Sequence, residues 1–149
     1  MALITYNDKS NYQTSSLANE YKVTADDMNE IKSVVNNNYP VSLYNNSSGT
    51  AGNVTLSDDK SNYSYIEIYF KGNNGSIDCA KVPTSFTSVN LTTGNYYNGS
   101  DTFFIQTETV AIGGTTITRK NQKEIAINSG QYPNITTTNL YIVKVVGYK

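Results

Sequence analysis

The fold is decided by residues 62–82, which read NYSYIEIYFKGNNGSIDCAKV. Between Tyr65 and Phe70, every second residue is Ile or Phe, and tyrosines and a glutamate fill the positions between them. This alternation is typical of a strand with one buried face, because successive side chains of a strand point to opposite sides. The turn sequence GNNG at 72–75 then leads into a second run that begins at Ile77. The stretch therefore predicts a β-hairpin.

Similar runs continue to the C-terminus. The segment TFFIQTETVAI at 102–112 turns at Gly113-Gly114 into TTITRK, which predicts another hairpin. The last segment, 139–148, is apolar on both sides and predicts a central or interprotomer strand rather than an edge strand.

The segments between these runs are more polar. We expect a short strand at 41–44 followed by a turn over 45–52, and a loop at 92–101. Strands of this number and spacing favour a mainly β fold, an antiparallel β-sandwich or jelly-roll-like domain of about seven to nine strands. An extended N-terminal arm and one short helix precede that domain.

The composition supports a β-rich domain. Asn, Ser and Thr make up 53 of the 149 residues, and there are 13 Tyr and no Trp. A disordered chain can be equally polar, but it lacks the recurring aromatic and β-branched segments found here.

Charge and residue inventory exclude several functions. A net charge of −1 with 15% charged residues gives no basic surface for nucleic acid or an anionic membrane. The chain has no His, which removes Ser-His-Asp catalysis, His general bases and His-ligated zinc. No apolar run reaches the roughly 20 residues of a transmembrane helix, and we expect a soluble product.

The N-terminal segment predicts an arm and a helix. Residues 1–22 have no sustained period and are expected to be extended, whereas Thr24 and the acids after it resemble a helix N-terminus. The helix is expected to span about 24–37. Its apolar stripe packs either on the chain's own β-domain or on identical helices around a symmetry axis. The candidate oligomer-interface residues are Met28, Ile31 and Val35.

The order of these segments resembles one family. VTADDMNEIKSVVNNN at 23–38, the 62–82 hairpin, FFIQTETVAIGGTTIT at 103–118 and NLYIVKVVGYK at 139–149 together are similar to virion fibre and tail proteins of bacteriophages. The resemblance implies a non-enzymatic, homotrimeric structural component of the virion that is assembled in the bacterial host cytoplasm.

The resemblance also implies a domain organisation. Residues 1–38 become the virion-anchoring arm and short helix, and residues 39–149 become the β-sandwich head domain. The arm is expected to bind other phage virion proteins through isolated apolar residues that each fill a pocket. These candidate anchors are Leu3, Ile4, Tyr6 and Leu17.

A candidate ligand site lies in the expected loop. Tyrosine rings stack on the apolar faces of sugars while Asn side chains bond hydroxyls, so a host-surface glycan is a further candidate partner. These candidate ligand-binding residues are Asn95, Tyr96, Tyr97 and Asn98. The alternative is that the two tyrosine rings cap the end of the sandwich or line a protomer interface.

No catalytic residue, metal site or cofactor is predicted. The acids are expected to be solvated on strand faces or in turns rather than paired as in a glycoside hydrolase. They are Asp58, Asp59, Glu67, Asp101, Glu108 and Glu124. The lone Cys79 is expected to be a small buried group in a strand. The function alternative to a virion component is a free-standing carbohydrate-binding or adhesin-type β module.

Overall fold

A computed structural model of the chain describes residues 25–73, 75–97, 101–128 and 133–149. The expected extended arm and its four candidate anchor residues lie outside this part of the chain. The structure separates into two units. One unit ends at Tyr39, contains the helix and also takes in Lys149, and the other spans Pro40–Tyr148.

The predicted helix is confirmed as α1, Ala25–Asn37. Asp26 and Asp27 lie in its first turn, where the helix dipole favours negative charge. At its C-terminus, the side chain of Asn38 donates a hydrogen bond to the carbonyl of Val34 at 2.8 Å. The backbone N–H of Asn38 donates to the same carbonyl at 3.1 Å, so Asn38 closes the last turn with two bonds. No residue of α1 is buried.

The β-sandwich predicted from the sequence is confirmed, with two antiparallel sheets. The described residues form nine strands: β1 Val41–Thr50, β2 Val54–Thr55, β3 Tyr65–Lys71, β4 Ile77–Pro83, β5 Ser88–Tyr97, β6 Thr102–Ile112, β7 Thr116–Asn128, β8 Asn134–Thr136 and β9 Tyr141–Tyr148. A 3-10 turn, Lys60–Asn62, precedes β3. Sheet A has the order β1-β9-β3-β4, and sheet B has the order β2-β7-β6-β5 with β8 also paired to β7.

The core lies between the inner faces of the two sheets. Sheet A contributes the alternating apolar residues of β3, which are almost completely buried, together with two residues of β9. Sheet B contributes inward-facing apolar residues of β2, β5, β6 and β7. The central members are Leu43, Ile66, Ile68, Phe70, Leu91, Val110, Ile117, Ile142 and Val145. This burial accounts for the period-two pattern seen in the sequence.

Both predicted hairpins are confirmed, since β3 pairs with β4 and β6 pairs with β7. The last strand, β9, lies between β1 and β3 and is a central strand, as expected. The expected turn at 45–52 is wrong for most of its length. β1 continues to Thr50. Its pairing with β9 shifts register between Asn45 and Thr50, where its polar residues lie.

A buried ion pair fastens the two sheets together. Arg119 on β7 donates from Nε and Nη2 to the two carboxylate oxygens of Glu108 on β6. The same guanidinium donates to the carbonyl of Thr50 at 2.9 Å, at the end of β1, and to the carbonyl of Leu140, just before β9. Glu108 is therefore buried, which corrects the expectation of a solvated acid. Bidentate pairing and the carbonyl bonds compensate the cost of burying both charges.

A second polar link joins the turn of the first hairpin to sheet B. The Oε1 atom of Gln106 accepts a hydrogen bond from the backbone N–H of Asn73 at 3.1 Å. The Asn73 side chain donates to Thr138 at 3.0 Å. Gly72 lacks a Cβ at the point where one would overlap the Gln106 side-chain oxygen. The end of the sandwich near this turn is thus held by hydrogen bonds rather than by apolar packing.

Candidate functional site

The outer face of sheet A carries tyrosines interleaved with charged residues. Because Ile66, Ile68 and Phe70 point into the core, the residues between them point outward. The pairing register places Tyr65 beside Tyr148 and Tyr69 beside Lys144. We call this surface the tyrosine face; its members are Tyr65, Glu67, Tyr69, Lys81, Lys144 and Tyr148.

Glu67 organises the tyrosine face. Its Oε2 atom accepts hydrogen bonds from the hydroxyls of Tyr69 and Tyr148, both at 2.8 Å. These bonds to the carboxylate raise the pKa of Tyr69 and Tyr148, because ionising either phenol would set two negative charges side by side. Glu67 therefore fixes the position of two rings and keeps both hydroxyls protonated.

The rings also contact each other and two ammonium groups. The rings of Tyr65 and Tyr148 are stacked, with centroids 4.6 Å apart and planes 8° apart. Lys81 Nζ lies 3.7 Å from the centroid of Tyr65, and Lys144 Nζ lies 5.8 Å from that of Tyr69. Cation–π attraction of this kind holds the lysines over the rings. Tyr65 thus has an aromatic cross-strand partner in Tyr148, whereas Tyr69 lies opposite Lys144 and Cys79.

A pocket of about 250 Å³ opens on the same side of sheet A. Most of its surface is apolar and includes the Tyr69 ring and two aliphatic side chains, and a small part is polar. The lining residues are Asn45, Ser47, Tyr69, Ile77, Val143 and Lys144. One cation and no acid line the pocket. Four strands contribute to it, so it exists only once sheet A has assembled.

The outer face of sheet B is of the opposite character. Its pairing register places Phe103 between Tyr96 and Ile127, and Ile105 beside Ile125, which in turn pairs with Ile135. We call this surface the apolar patch; its members are Tyr96, Phe103, Ile105, Ile125, Ile127 and Ile135. The solvent-exposed fractions are 55% for Tyr96, 41% for Phe103 and Ile127, and 61% for Ile135. No member carries a charge at neutral pH. Contiguous exposed apolar residues of this kind mark interaction surfaces.

The candidate ligand-binding residues do not form the expected loop. Asn95, Tyr96 and Tyr97 belong to β5, which pairs with β6 up to Thr102. Thr, Tyr and Phe favour strands, and this propensity outweighs the turn tendency of Asn and Gly in the segment. At Gly94, a Cβ would lie only 3.2 Å from the ring of Phe103. Gly94 therefore lets this ring lie against the strand.

Within this set, only Tyr96 is an exposed ring that the structure describes. Its hydroxyl donates a hydrogen bond to Asp101, which raises the pKa of Tyr96. Asn95 is half-buried and pairs with Phe104. The side chain of Tyr97 and all of Asn98 lie outside the described residues. Tyr96 thus lies on a strand, in the apolar patch, rather than on a loop, and its role in sugar binding stays a prediction.

The candidate oligomer-interface residues Met28, Ile31 and Val35 are exposed on α1, as is Val34. The predicted seam of identical helices stays a prediction, because a single chain does not test it.

The helix has 13 residues. Within the described residues, no helix has the length and apolarity needed to cross a membrane.

The remaining chemical candidates are not grouped into a site. In the part of the chain that the structure describes, no three His, Cys, Asp or Glu residues lie together as metal ligands would. Cys79 is exposed on β4, which corrects the expectation of a buried thiol. It pairs with outward-facing Tyr69, and partial desolvation together with the charge of Glu67 raises its pKa.

Sequence reasoning missed the pocket on sheet A. The alternation in β3 already placed Tyr69 on the outward face, and that signal was available. The neighbours across the sheet were not visible, because β9 lies far from β3 in sequence and Asn45 was assigned to a turn. A scan of protein-family models and a search of curated proteins gave no match to this sequence.

Proposed function

We propose that this chain is a structural, non-enzymatic virion component of a bacteriophage, a trimeric fibre or adaptor. In this proposal, residues 1–38 hold it to the particle and the β-sandwich faces outward, where it contributes to attachment to the host surface. The protein is assembled in the bacterial host cytoplasm and is then carried by the virion. Its partners are its own copies and other virion proteins.

The observation that carries the proposal is exposed apolar surface in both units of the chain. On α1, Ile31, Val34 and Val35 are exposed, and on sheet B the apolar patch is exposed as well. A chain that functions alone has little use for such surfaces, since they cost solubility. The members of the apolar patch carry no charge and offer exposed apolar surface to further copies of the chain, which supports self-association.

Two features support a binding role over catalysis. The buried acid Glu108 is already paired with Arg119, and Glu67 accepts two tyrosine hydroxyls, so both acids serve the architecture. In the described residues, no metal-ligand group is assembled. The protein is therefore proposed to turn over no peptide, ester or phosphodiester substrate and to need no cofactor or metal.

The first experiment measures the mass of the full chain in solution by light scattering. A trimer is expected at micromolar concentration, and Ile31→Asp is expected to shift it toward monomer because three carboxylates would converge on one axis. Ser33→Asp is the matched control, since it adds the same charge on another side of the helix. A monomeric wild-type protein would contradict the proposal.

The second experiment concerns the particle. A deletion of residues 1–22 is expected to keep the oligomer but to be absent from purified virions. Imaging of particles carrying the full chain should show the β-sandwich on their surface. Normal occupancy of the deletion variant on virions would overturn the anchoring role.

A second candidate function is favoured by the tyrosine face and its pocket. A free-standing carbohydrate-binding or adhesin module would use them without any virion. Neighbouring genes separate the two proposals, because capsid, portal or tail genes support the first and secreted hydrolases support the second.

A further inference from the structure

We infer that the pocket on sheet A binds one anionic sugar residue, with the acid group of the sugar on Lys144 and its ring against Tyr69, Ile77 and Val143. The inference rests on the proposed function in one respect: a chain displayed on a virion meets the acidic glycans of a cell surface. The binding chemistry itself depends only on the described residues.

The size of the pocket points to a small ligand. Pockets for drug-sized molecules occupy roughly 300–1,000 Å³. At about 250 Å³ this pocket lies just below that range. It therefore suits a single ring, with the rest of a glycan chain extending into solvent.

The apolar side of the pocket suits the carbon face of a sugar ring. The Tyr69 ring is held in place by its hydrogen bond to Glu67, so little conformational freedom is lost when a ligand binds. Ile77 is exposed although it is a large aliphatic residue, and Val143 is buried outside the main core cluster. A sugar would cover Ile77 with its C–H groups and close over the small exposed part of Val143.

The polar side supplies bonds for hydroxyls and an acid group. Asn45 is exposed and presents an amide that can both donate and accept hydrogen bonds. Lys144 is exposed, and its ammonium lies over the Tyr69 ring with no ion pair to an acid of the described residues. Its positive charge is therefore available to a ligand.

The surrounding charges favour an anion over a neutral sugar. Lys71 donates from Nζ to the carbonyl of Ser47 at 3.4 Å, which brings a second cation to the edge of the pocket. The nearest acid of this face, Glu67, lies outside the lining, two residues before Tyr69 on β3. Its carboxylate accepts hydrogen bonds from the hydroxyls of Tyr69 and Tyr148. A negative ligand thus meets two ammonium groups and no acid in the lining.

The test measures binding to the isolated full chain by amide chemical shifts in NMR. Three probes are compared: methyl glucuronide, glucose 6-phosphate and the neutral methyl glucoside. Both anionic sugars share the inferred chemistry, and their relative affinity shows whether a carboxylate or a phosphate is preferred. Shifts are expected at residues 45, 69, 77 and 143–144, with a dissociation constant near 1 mM, about −4 kcal/mol.

Variants then assign the roles of the lining. Lys144→Met is expected to weaken the anionic probes about tenfold, because a charge-assisted bond is lost. Tyr69→Phe keeps the ring but loses the hydrogen bond to Glu67 that holds it, so it should weaken binding less than Lys144→Met does, and Ile77→Ser should also bind more weakly. Lys123→Met, an exposed substitution on sheet B, is the matched control. Circular dichroism confirms that each variant is folded.

The inference is overturned by equal binding of the neutral glucoside, by unchanged binding in Lys144→Met, or by no shifts at 50 times the expected dissociation constant. These readouts do not involve oligomer mass or virions. Failure of the pocket therefore leaves the virion proposal standing, and a monomeric protein that binds the anionic probes would sink only the virion proposal.

Discussion

The two outer faces of the sandwich come from the same alternating sequence pattern but differ in how their side chains are tied down. On sheet A, the aromatic rings are bonded to Glu67 or covered by lysine ammonium groups. On sheet B, Phe103 and Ile127 lie side by side with no charged residue in the patch. A face with fixed rings and cations suits a small polar ligand, whereas an exposed apolar patch suits another protein surface. The alternation of side chains along a strand therefore determines which residues face outward, and the charge and polarity of those residues determine what the face can bind.

Both faces belong to sheets that are joined by Arg119, which pairs with Glu108 and bonds to two carbonyls of sheet A segments. Loss of Arg119 therefore has the largest expected effect. Arg119→Met leaves Glu108 buried without a cation and removes two bonds to carbonyl groups of other segments. The free energy of unfolding should fall by about 3–5 kcal/mol. Urea denaturation measures it, with Lys120→Met at the exposed neighbouring position as the control. A fall in the free energy of unfolding of less than about 1 kcal/mol would show that Arg119 does not hold the two sheets together.

The apolar patch is tested by adding charge to it. Ile127→Glu should weaken self-association about 30-fold, because a central interface residue contributes about 2 kcal/mol and a carboxylate is costly to bury. Ser88→Glu adds the same charge at the far end of the same face and should leave association unchanged. Sedimentation over a concentration series gives both constants. Equal effects of the two substitutions would remove the patch from the interface.

The tyrosine face is tested by removing its organising charge. Glu67→Gln should lower the free energy of unfolding by about 0.5–1.5 kcal/mol, since two hydrogen bonds lose their charged acceptor. It should also lower the pKa of Tyr69 and Tyr148 toward the ordinary value of about 10, followed by phenolate absorbance.

The sign of the pH effect follows from the direction of these shifts. Both folded-state pKa values lie above the unfolded value, so the folded state keeps protons that the unfolded state releases. Their contribution to stability is complete below about pH 10 and is lost as the pH rises through the folded pKa. Wild-type stability should thus fall more steeply above pH 10 than that of Glu67→Gln. Glu30→Gln on α1 should keep the wild-type slope, and identical slopes in all three would contradict the role of Glu67.

The smallest expected effect concerns Cys79, the exposed thiol beside Tyr69. Cys79→Ser should change the free energy of unfolding by less than about 0.5 kcal/mol, because the side chain is on the surface. Alkylation of Cys79 near neutral pH should be slow for an exposed thiol, because partial desolvation and the negative charge of Glu67 raise its pKa. Glu67→Gln should accelerate it. A large stability loss would place Cys79 in the core, as the sequence had suggested.

Much of the fold was predictable because its signals are local. The alternation in β3 and the turn residues at 72–75 and 113–114 fixed both hairpins. The acids at the start of α1 and the Asn run at its end fixed the helix. The all-apolar last segment predicted a central strand. Each of these features depends on residues close in sequence.

The errors came where distant strands decide the outcome. Asn45 to Thr50 read as a turn, but β9 offers them a pairing partner, and this gain outweighs their weak strand propensity. The 92–97 segment became a strand because β6 and the ring of Phe103 stabilise it. Glu108 is predicted to be solvated because the sequence of the β6–β7 hairpin does not show that a second sheet buries this acid and Arg119 together.

The sequence by itself therefore determined the β class, the helix, the two hairpins and the outward or inward position of side chains along β3, because period and turn chemistry act within one segment. Only the tertiary structure decided the order of strands in each sheet, the buried Arg119–Glu108 pair, the pocket at Lys144 and the apolar patch around Phe103. The strand order and the pocket require residues far apart in the chain to meet, whereas Arg119 and Glu108 share one hairpin and are buried only because sheet A packs over them. In both cases the free energy comes from burying a shared core.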